Sequence, residues 1–143
     1  CHSGPLLSDQ KFYNLGVAET ESLLADPQHR STRRYQLASM RLPMQESDPG
    51  RYRITKISAE MGAFRTPPLR QVAQTGPYMH NGSIKTLAEV VAFLSEGGGE
   101  DAHKTPLLNK LHFTSKEQAN LVAFLESLSG TIPEIHRPHL PGD

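Results

Sequence analysis

The sequence predicts an all-α domain with long loops, and three observations support this prediction. Two stretches, residues 86–96 and 114–129, each place a capping box ahead of an apolar stripe at helical spacing. The 143 residues include eleven glycines and eleven prolines, which indicates much loop. Apolar residues make up 36% of the chain and aromatic residues 6%, with no Trp. Because this is little apolar material, the core is expected to depend on a cofactor or a neighbouring domain.

The first half of the chain predicts short elements between loops. Residues 17–27 contain a short helix candidate, whereas residues 28–50 are basic and then acidic and predict a long surface excursion. Residues 51–57 alternate charged and apolar side chains, as a short extended segment does. Residues 62–82 are predicted to be mostly loop. A short helix is expected to start near the prolines at 67–68, because proline suits a first helical turn.

The first clear helix is predicted behind the capping box of Thr86 and Glu89. Its apolar stripe falls at i, i+3, i+4 and i+7, and consists of Leu87, Val90, Val91 and Leu94. The opposite side carries Ala88, Glu89 and Ala92. The glycine run at residues 97–99 is expected to stop this helix.

The second helix repeats this pattern behind the capping box of Thr114 and Glu117. Its stripe consists of Leu121, Phe124, Leu125 and Leu128. Gly130 is the expected C-cap. The tail at residues 131–143 contains three prolines and is expected to be extended and exposed.

Composition and motifs exclude several classes of function. The formal net charge is zero, which argues against a nucleic-acid partner. No stretch approaches 18 consecutive apolar residues, so no membrane span is expected. Neither a nucleophile elbow nor a phosphate-binding glycine loop is present. The remaining histidines show no helical metal-binding pair with a third ligand: His29, His103, His112, His136 and His139.

The pair formed by Cys1 and His2 is the first candidate site. The chain has this one cysteine, so it can form no internal disulfide. Haem c is attached through thioethers at C-x-x-C-H, and the His of that motif becomes the proximal iron ligand. The pair therefore predicts a haem-attachment motif inside which the sequence starts, and the alternative is an inert cysteine. We treat the sequence as a piece of a longer protein.

Four stretches together resemble the C-terminal haem-c domain of the bacterial di-haem cytochrome c peroxidase and MauG family. They are CHSGPLLSDQKFYNLGV, DPGRYRIT, GAFRTPPLRQVAQTGPYMHNGSIKTLAEVVAFLSEGGG and LNKLHFTSKEQANLVAFLESLSG. Their order and spacing hold across residues 1–130, and the FRTPPLR to TGPYMHNGS block is the most specific part. Residues 18–47 match poorly and are interpreted as a variable insertion.

The resemblance implies a cytochrome c-like fold whose long loops wrap one haem c. Cys1 and a second Cys three residues earlier, outside this chain, would hold the haem, and His2 would be the proximal ligand. The resemblance also implies an N-terminal half with a second haem. The last helix would pack against an N-terminal helix that this chain lacks. The protein is expected to be periplasmic or otherwise exported.

The implied function is that of the electron-handling half of a di-haem oxidoreductase. Family members either reduce hydrogen peroxide with electrons from a small redox protein or, like MauG, oxidise a residue of a partner protein. The fragment alone is expected to be inactive, and the resemblance leaves a homodimer open. The alternatives are an electron-transfer cytochrome c module without peroxidase activity and a haem-free remnant with a broken motif.

The distal iron ligand is where the sequence departs from the family. Leu94 occupies the position at which the resemblance places Met or Tyr, and leucine cannot bind iron. Either the position is open, or another residue fills it, or the alignment slips. The thioether candidates are Met40, Met44, Met61 and Met79. Met79 is preferred because it lies in the block nearest the implied haem pocket.

Two residues flank Met79 and are expected at the haem pocket or the seam between the haem domains: Tyr78 and His80. The alternative is that Tyr78 packs and His80 hydrogen-bonds a loop. The resemblance also implies that the backbone carbonyls of Thr75 and Pro77 help to hold Ca²⁺, a hard cation that accepts such oxygens.

Two arginines could pair with haem propionates, because a guanidinium matches a carboxylate: Arg65 and Arg70. The alternative is that either is a solvated charge.

Overall fold

The computed structural model describes residues 1–39, 41 and 48–131, in which helices and loops predominate. The helices are α1 (Glu21–Ala25), α2 (Pro27–Ser39), α3 (Tyr52–Thr55), α4 (Leu87–Ser95) and α5 (Ser115–Ser127), with 3-10 turns at Ser58–Glu60 and Val72–Gln74. Strands β1 (Phe12–Tyr13) and β2 (Phe64–Arg65) form an antiparallel ladder. The all-α prediction missed this ladder, because two residues are too few to show alternation. No helix of the described ranges is long and apolar enough to cross a membrane.

Helix α2 corrects the prediction of a surface excursion over residues 28–50. Pro27 opens the helix, as its fixed φ favours. Only Arg33 and Leu37 of this helix are buried, and they lie four residues apart on one face. One of the two is charged, so the hydrophobic pattern gave no signal. Residues 42–47 and Met40 lie outside the described residues, and so do the predictions made there for Met40 and Met44.

Two further local predictions were wrong. Residues 52–55 form the single helical turn α3, which ends at Lys56 in the left-handed region with φ +59°. Ile54 is 82% exposed and Ile57 54% exposed, so the alternation at residues 51–57 did not mark a buried face. The helical turn expected near the prolines at 67–68 lies instead at Val72–Gln74.

Helices α4 and α5 confirm the predictions made from their caps. Both capping boxes form, and in α4 the buried face includes Leu87 and Val91, whereas Ala88, Glu89 and Ala92 are exposed. Helix α5 packs on α4 and is capped at Leu128. Gly130 is therefore not its C-cap. Its N–H donates to Oε1 of Gln71 at 3.0 Å, which ties the end of α5 to the 3-10 turn.

A polar residue organises the loops around the ladder. Asn14 is buried, and its Nδ2 donates to the carbonyl of Met61 at 2.9 Å and to Asp101 at 3.0 Å. A Cβ on Gly99 would lie 2.0 Å from the carbonyl oxygen of Gly16. The glycine run after α4 therefore stops the helix and also allows the backbone to approach the segment after β1.

The apolar core of the described residues is small. Its buried side chains are Leu37, Pro49, Ala63, Leu87 and Val91. Large apolar side chains lie exposed in several elements, including Leu6, Leu107, Leu111, Leu121 and Phe124. The shortage predicted from composition is therefore visible as apolar surface. The predicted tail lies outside the described residues except for Thr131, which is exposed.

Candidate functional site

Residues 1–9 form a closed turn, here called the Cys-His loop. The N–H of Asp9 donates to the carbonyl of Cys1 at 2.7 Å, and the N–H of Ser8 donates to the carbonyl of Ser3 at 3.0 Å. Cys1 is a free, exposed thiol. The loop therefore presents Cys1 and the residue after it at the surface on a backbone that its own hydrogen bonds fix.

The imidazole of His2 is held by one nitrogen. Nδ1 lies 2.9 Å from the carbonyl oxygen of Leu7, within the Cys-His loop. A carbonyl can only accept, so Nδ1 carries a proton, and in the neutral imidazole this leaves the lone pair on Nε2. Metal-binding histidines show this arrangement, in which a backbone carbonyl fixes the tautomer and ring orientation. The exposed His2 is thus prepared to coordinate a metal through Nε2.

The Cys-His loop is bonded to the segment that follows β2. Oγ of the buried Ser8 donates to the carbonyl of Thr66 at 2.8 Å. Both predicted arginines contact the first ten residues: Arg70 donates to the carbonyl of Pro5 at 2.7 Å, and Arg65 donates to Oε1 of Gln10. Each guanidinium has further N–H donors, so these contacts leave the propionate prediction untested.

The block at residues 75–84 is a loop closed by Tyr78. Its N–H donates to the carbonyl of Ile84 at 2.6 Å, and its hydroxyl donates to the carbonyl of Val72 at 3.0 Å. Met79 is half-buried, with φ +69°. Thr75 and Pro77 are exposed, and the bond before Pro77 is cis. Met79 as an iron ligand, and Thr75 and Pro77 as Ca²⁺ ligands, stay predictions.

His80 stacks on Phe64 of β2, with ring centroids 3.8 Å apart and an interplanar angle of 7°. Burial lowers the pKa of His80, and the carboxylates of Asp48 and Glu19 partly oppose that shift. Phe64 pairs with Tyr13 in the ladder. The ladder therefore connects the Cys-His loop to the block around His80.

The predicted residues thus fall into two groups. Arg65 and Arg70 lie with the Cys-His loop, and Tyr78, Met79 and His80 lie in the block at residues 75–84. Leu94 is half-buried on α4, and its position on the distal side of an iron stays a prediction. The described residues contain no group of three or more His, Cys, Asp or Glu side chains that could hold a metal ion.

Sequence reasoning missed the contact between Tyr13 and Asp9. The phenol donates to Oδ2 of Asp9 at 2.6 Å, which lowers the pKa of Asp9 and raises that of Tyr13. Asp9 lies in the loop before β1 and Tyr13 lies in β1, and a spacing of four residues outside a helix is not a recognised signal. The turn of the Cys-His loop brings the two together.

Comparison with known proteins gives the family. A cytochrome-c peroxidase of Denitromonas iodatirespirans, IdrP1, is 50% identical over 149 residues, which cover 100% of this chain and 40% of the relative. A methylamine utilization protein MauG of Methylorubrum extorquens is 33% identical, covering 99% of this chain and 33% of the relative. The chain belongs to the cytochrome c peroxidase and MauG family.

The structural comparison agrees with this family. A MauG-like protein associated with microbial copper homeostasis superimposes with a TM-score of 0.61 at 29% identity, covering 86% of this chain and 36% of that protein. No protein-family model matches the chain. The chain spans about 40% of the length of the curated cytochrome-c peroxidases to which it is similar, and it corresponds to their C-terminal part.

Proposed function

We propose that this chain is the electron-handling haem-c domain of a di-haem peroxidase. Cys1 and a Cys outside the chain would hold the haem through thioethers, and Nε2 of His2 would bind its iron. The observation that carries the proposal is the bond between Nδ1 of His2 and the carbonyl of Leu7 at 2.9 Å. It fixes the tautomer that ligation requires and makes the imidazole a stronger ligand.

The residues present fit a haem in a second respect. Few apolar side chains are buried, while Leu6, Leu107 and Phe124 are 54%, 66% and 51% exposed. A porphyrin and a neighbouring domain would cover such side chains and bury the apolar area that they leave in water. The fold is accordingly proposed to be cytochrome c-like, with α5 packing on a helix of the preceding segment.

The proposed reaction is the reduction of hydrogen peroxide. Relatives between 40% and 50% identical are named cytochrome-c peroxidases, whereas the MauG relatives are 26% and 33% identical. Haem supplies one-electron chemistry when bound. The chain's own residues would orient it: the Leu7 carbonyl through His2, and Arg65 and Arg70 through the propionates. MauG-like oxidation of a partner protein is the second candidate, supported by the shared fold.

The proposal extends to the rest of the protein. A second haem in an N-terminal domain would react with peroxide, and a small redox protein would deliver electrons in the periplasm. Backbone carbonyls of Thr75 and Pro77 would help to bind Ca²⁺. Because Leu94 offers no ligand atom, Met79 is the proposed distal ligand.

The experiment is to produce the full-length protein with periplasmic haem maturation. Mass spectrometry of its peptides should find haem covalently attached to the peptide containing Cys1. His2→Ala should abolish the normal haem spectrum, whereas the exposed His103→Ala should leave it unchanged. A free Cys1 thiol in the matured protein would refute haem attachment. A haem-loaded protein that does not oxidise a reduced small cytochrome on addition of peroxide would refute the proposed reaction.

A further inference from the structure

The contact between Tyr13 and Asp9 places an oxidisable phenol beside the Cys-His loop. The phenol donates to Oδ2 of Asp9 at 2.6 Å. The N–H of Asp9 in turn donates to the carbonyl of Cys1 at 2.7 Å. A single residue therefore separates the phenol from the proposed point of haem attachment.

This phenol is not needed to close the loop. Oδ1 of Asp9 already accepts the N–H of Lys11 at 3.0 Å, and the backbone bond from Asp9 to Cys1 closes the turn. The bond from Tyr13 falls on the other carboxylate oxygen. It gives the phenolic proton an anionic acceptor in a half-buried position.

Oxidation of a tyrosine requires such an acceptor. A phenol with an ordinary pKa of about 10 keeps its proton at neutral pH, and that proton must leave when an electron is removed. Water is a weak base for this step, whereas a positioned carboxylate takes the proton within an existing hydrogen bond. The phenol holds the pKa of Asp9 below its usual value, so the carboxylate is ionised and able to accept.

Tyr13 is also the ladder partner of a residue that stacks on a histidine. It stands opposite Phe64 in the ladder, where facing side chains lie about 4.5–5.5 Å apart at Cβ. Phe64 in turn stacks on His80 at 3.8 Å. Tyr35, in contrast, is 77% exposed on α2. Among these tyrosines, Tyr13 combines partial burial, a carboxylate acceptor and proximity to Cys1.

We propose that Tyr13 is a redox-active tyrosine that passes an electron to the oxidised haem site while its proton moves to Asp9. The inference rests on the proposed function, which supplies the oxidant by reaction of haem with hydrogen peroxide. In the step, the phenol loses one electron to that oxidant, which is reduced by one electron. The O–H bond of the Tyr13 phenol breaks, and the proton forms an O–H bond with Oδ2 of Asp9. An electron from the donor then reduces the tyrosyl radical, and the proton returns from Asp9 to the phenolic oxygen.

The test uses the full-length, haem-loaded protein containing ring-deuterated tyrosine, freeze-quenched after mixing with hydrogen peroxide. EPR should show a tyrosyl radical whose hyperfine splitting narrows on ring deuteration. Tyr13→Phe should remove this signal, and the matched Tyr35→Phe should keep it. Asp9→Asn should slow radical formation by about 100-fold or more, since a positioned base contributes about 10²–10⁴-fold.

Two outcomes overturn the inference while leaving the peroxidase proposal intact. One is a protein that consumes peroxide without a tyrosyl signal, and the other is an unchanged signal in Tyr13→Phe. A protein that does not react with peroxide refutes the proposed function instead. If the protein does not react with peroxide, wild type and the same variants are oxidised instead by flash photolysis of a ruthenium photo-oxidant. A radical yield that is equal in wild type and Tyr13→Phe overturns the inference in that case too.

Discussion

The buried ion pair between Glu19 and Arg33 is expected to hold helix α2 on the domain. Nη1 of Arg33 lies 3.0 Å from Oε1 of Glu19, and the two side chains are 10% and 6% exposed. Glu19 also accepts a bond from Nδ2 of Asn81 at 3.3 Å. The pair therefore joins the middle of α2 to the block at residues 75–84, and breaking it should release the helix.

The magnitude follows from burial. Glu19→Ala leaves the Arg33 guanidinium buried without its carboxylate, a change that costs about 3–5 kcal/mol. Nε and Nη2 of Arg33 are buried without a hydrogen-bond partner even in the native chain. Part of the desolvation is thus already uncompensated, and we expect the lower end, about 3 kcal/mol, or about 100-fold in the local opening equilibrium of α2.

Hydrogen exchange of the full-length, haem-loaded protein measures this opening. In Glu19→Ala, the protection factors of peptides covering α2 should fall about 100-fold, because the free energy of opening falls by about 3 kcal/mol. The double variant with Arg33→Met should regain most of it, because no unpaired charge stays buried. Arg30→Ala, at an exposed position of the same helix, is the control. Unchanged protection in Glu19→Ala, or a double variant as open as the single one, would refute the reasoning.

Four further predictions address other parts of the fold and site. Burial lowers the pKa of His80 in the folded state below its ordinary value of 6.5. The stability contributed by the neutral His80 is therefore fully present above pH 6.5 and is lost as the pH falls through the pKa of the folded state. Thermal melts should show this loss, and His80→Phe should remove it. Stripping Ca²⁺ with a chelator should change the haem spectrum or lower activity if residues 75–77 bind it, and an unchanged protein would exclude the site. Met79→Ala should convert a low-spin iron spectrum to a high-spin one and lower the potential, whereas an unchanged spectrum would show that Met79 is not the ligand. Gly99→Ala should cost about 1–3 kcal/mol by overpacking against a main-chain oxygen, and Gly130→Ala, which has room for a Cβ, should leave the melting temperature nearly unchanged.

Helices were predictable where their signals are local. The capping box of Thr86 and Glu89 needs four consecutive residues, and it forms as predicted. Helix α2 has no such signal, because its buried face consists of a leucine and an arginine, and the arginine pairs with Glu19. The carboxylate that pairs with this arginine lies 14 residues away along the chain. No periodicity within the helix contains this information.

The same distinction separates the parts of the candidate site. Cys1 and His2 are adjacent, so a motif of two residues is enough to predict them as a site. The support for His2 comes from the carbonyl of Leu7, which any residue would supply at that position, so side-chain identity carries no signal. The Tyr13 acceptor depends on a turn that brings Asp9 back to the start of the chain. Such contacts become visible only when the backbone path is known.

Composition predicted a shortage of core material but not where the shortage would appear. In the structure it appears as exposed apolar side chains, and Leu107 and Phe124 are both more than half exposed. Phe124 is exposed although its helix, α5, has a capping box and packs on α4. An amphipathic helix gains most of its stability by burying its apolar face, so a further packing partner on Phe124 would stabilise α5. A haem c on the Cys-His loop and a neighbouring domain would together provide that partner. The proposed haem c would thus account both for the small core and for the histidine that the Leu7 carbonyl holds.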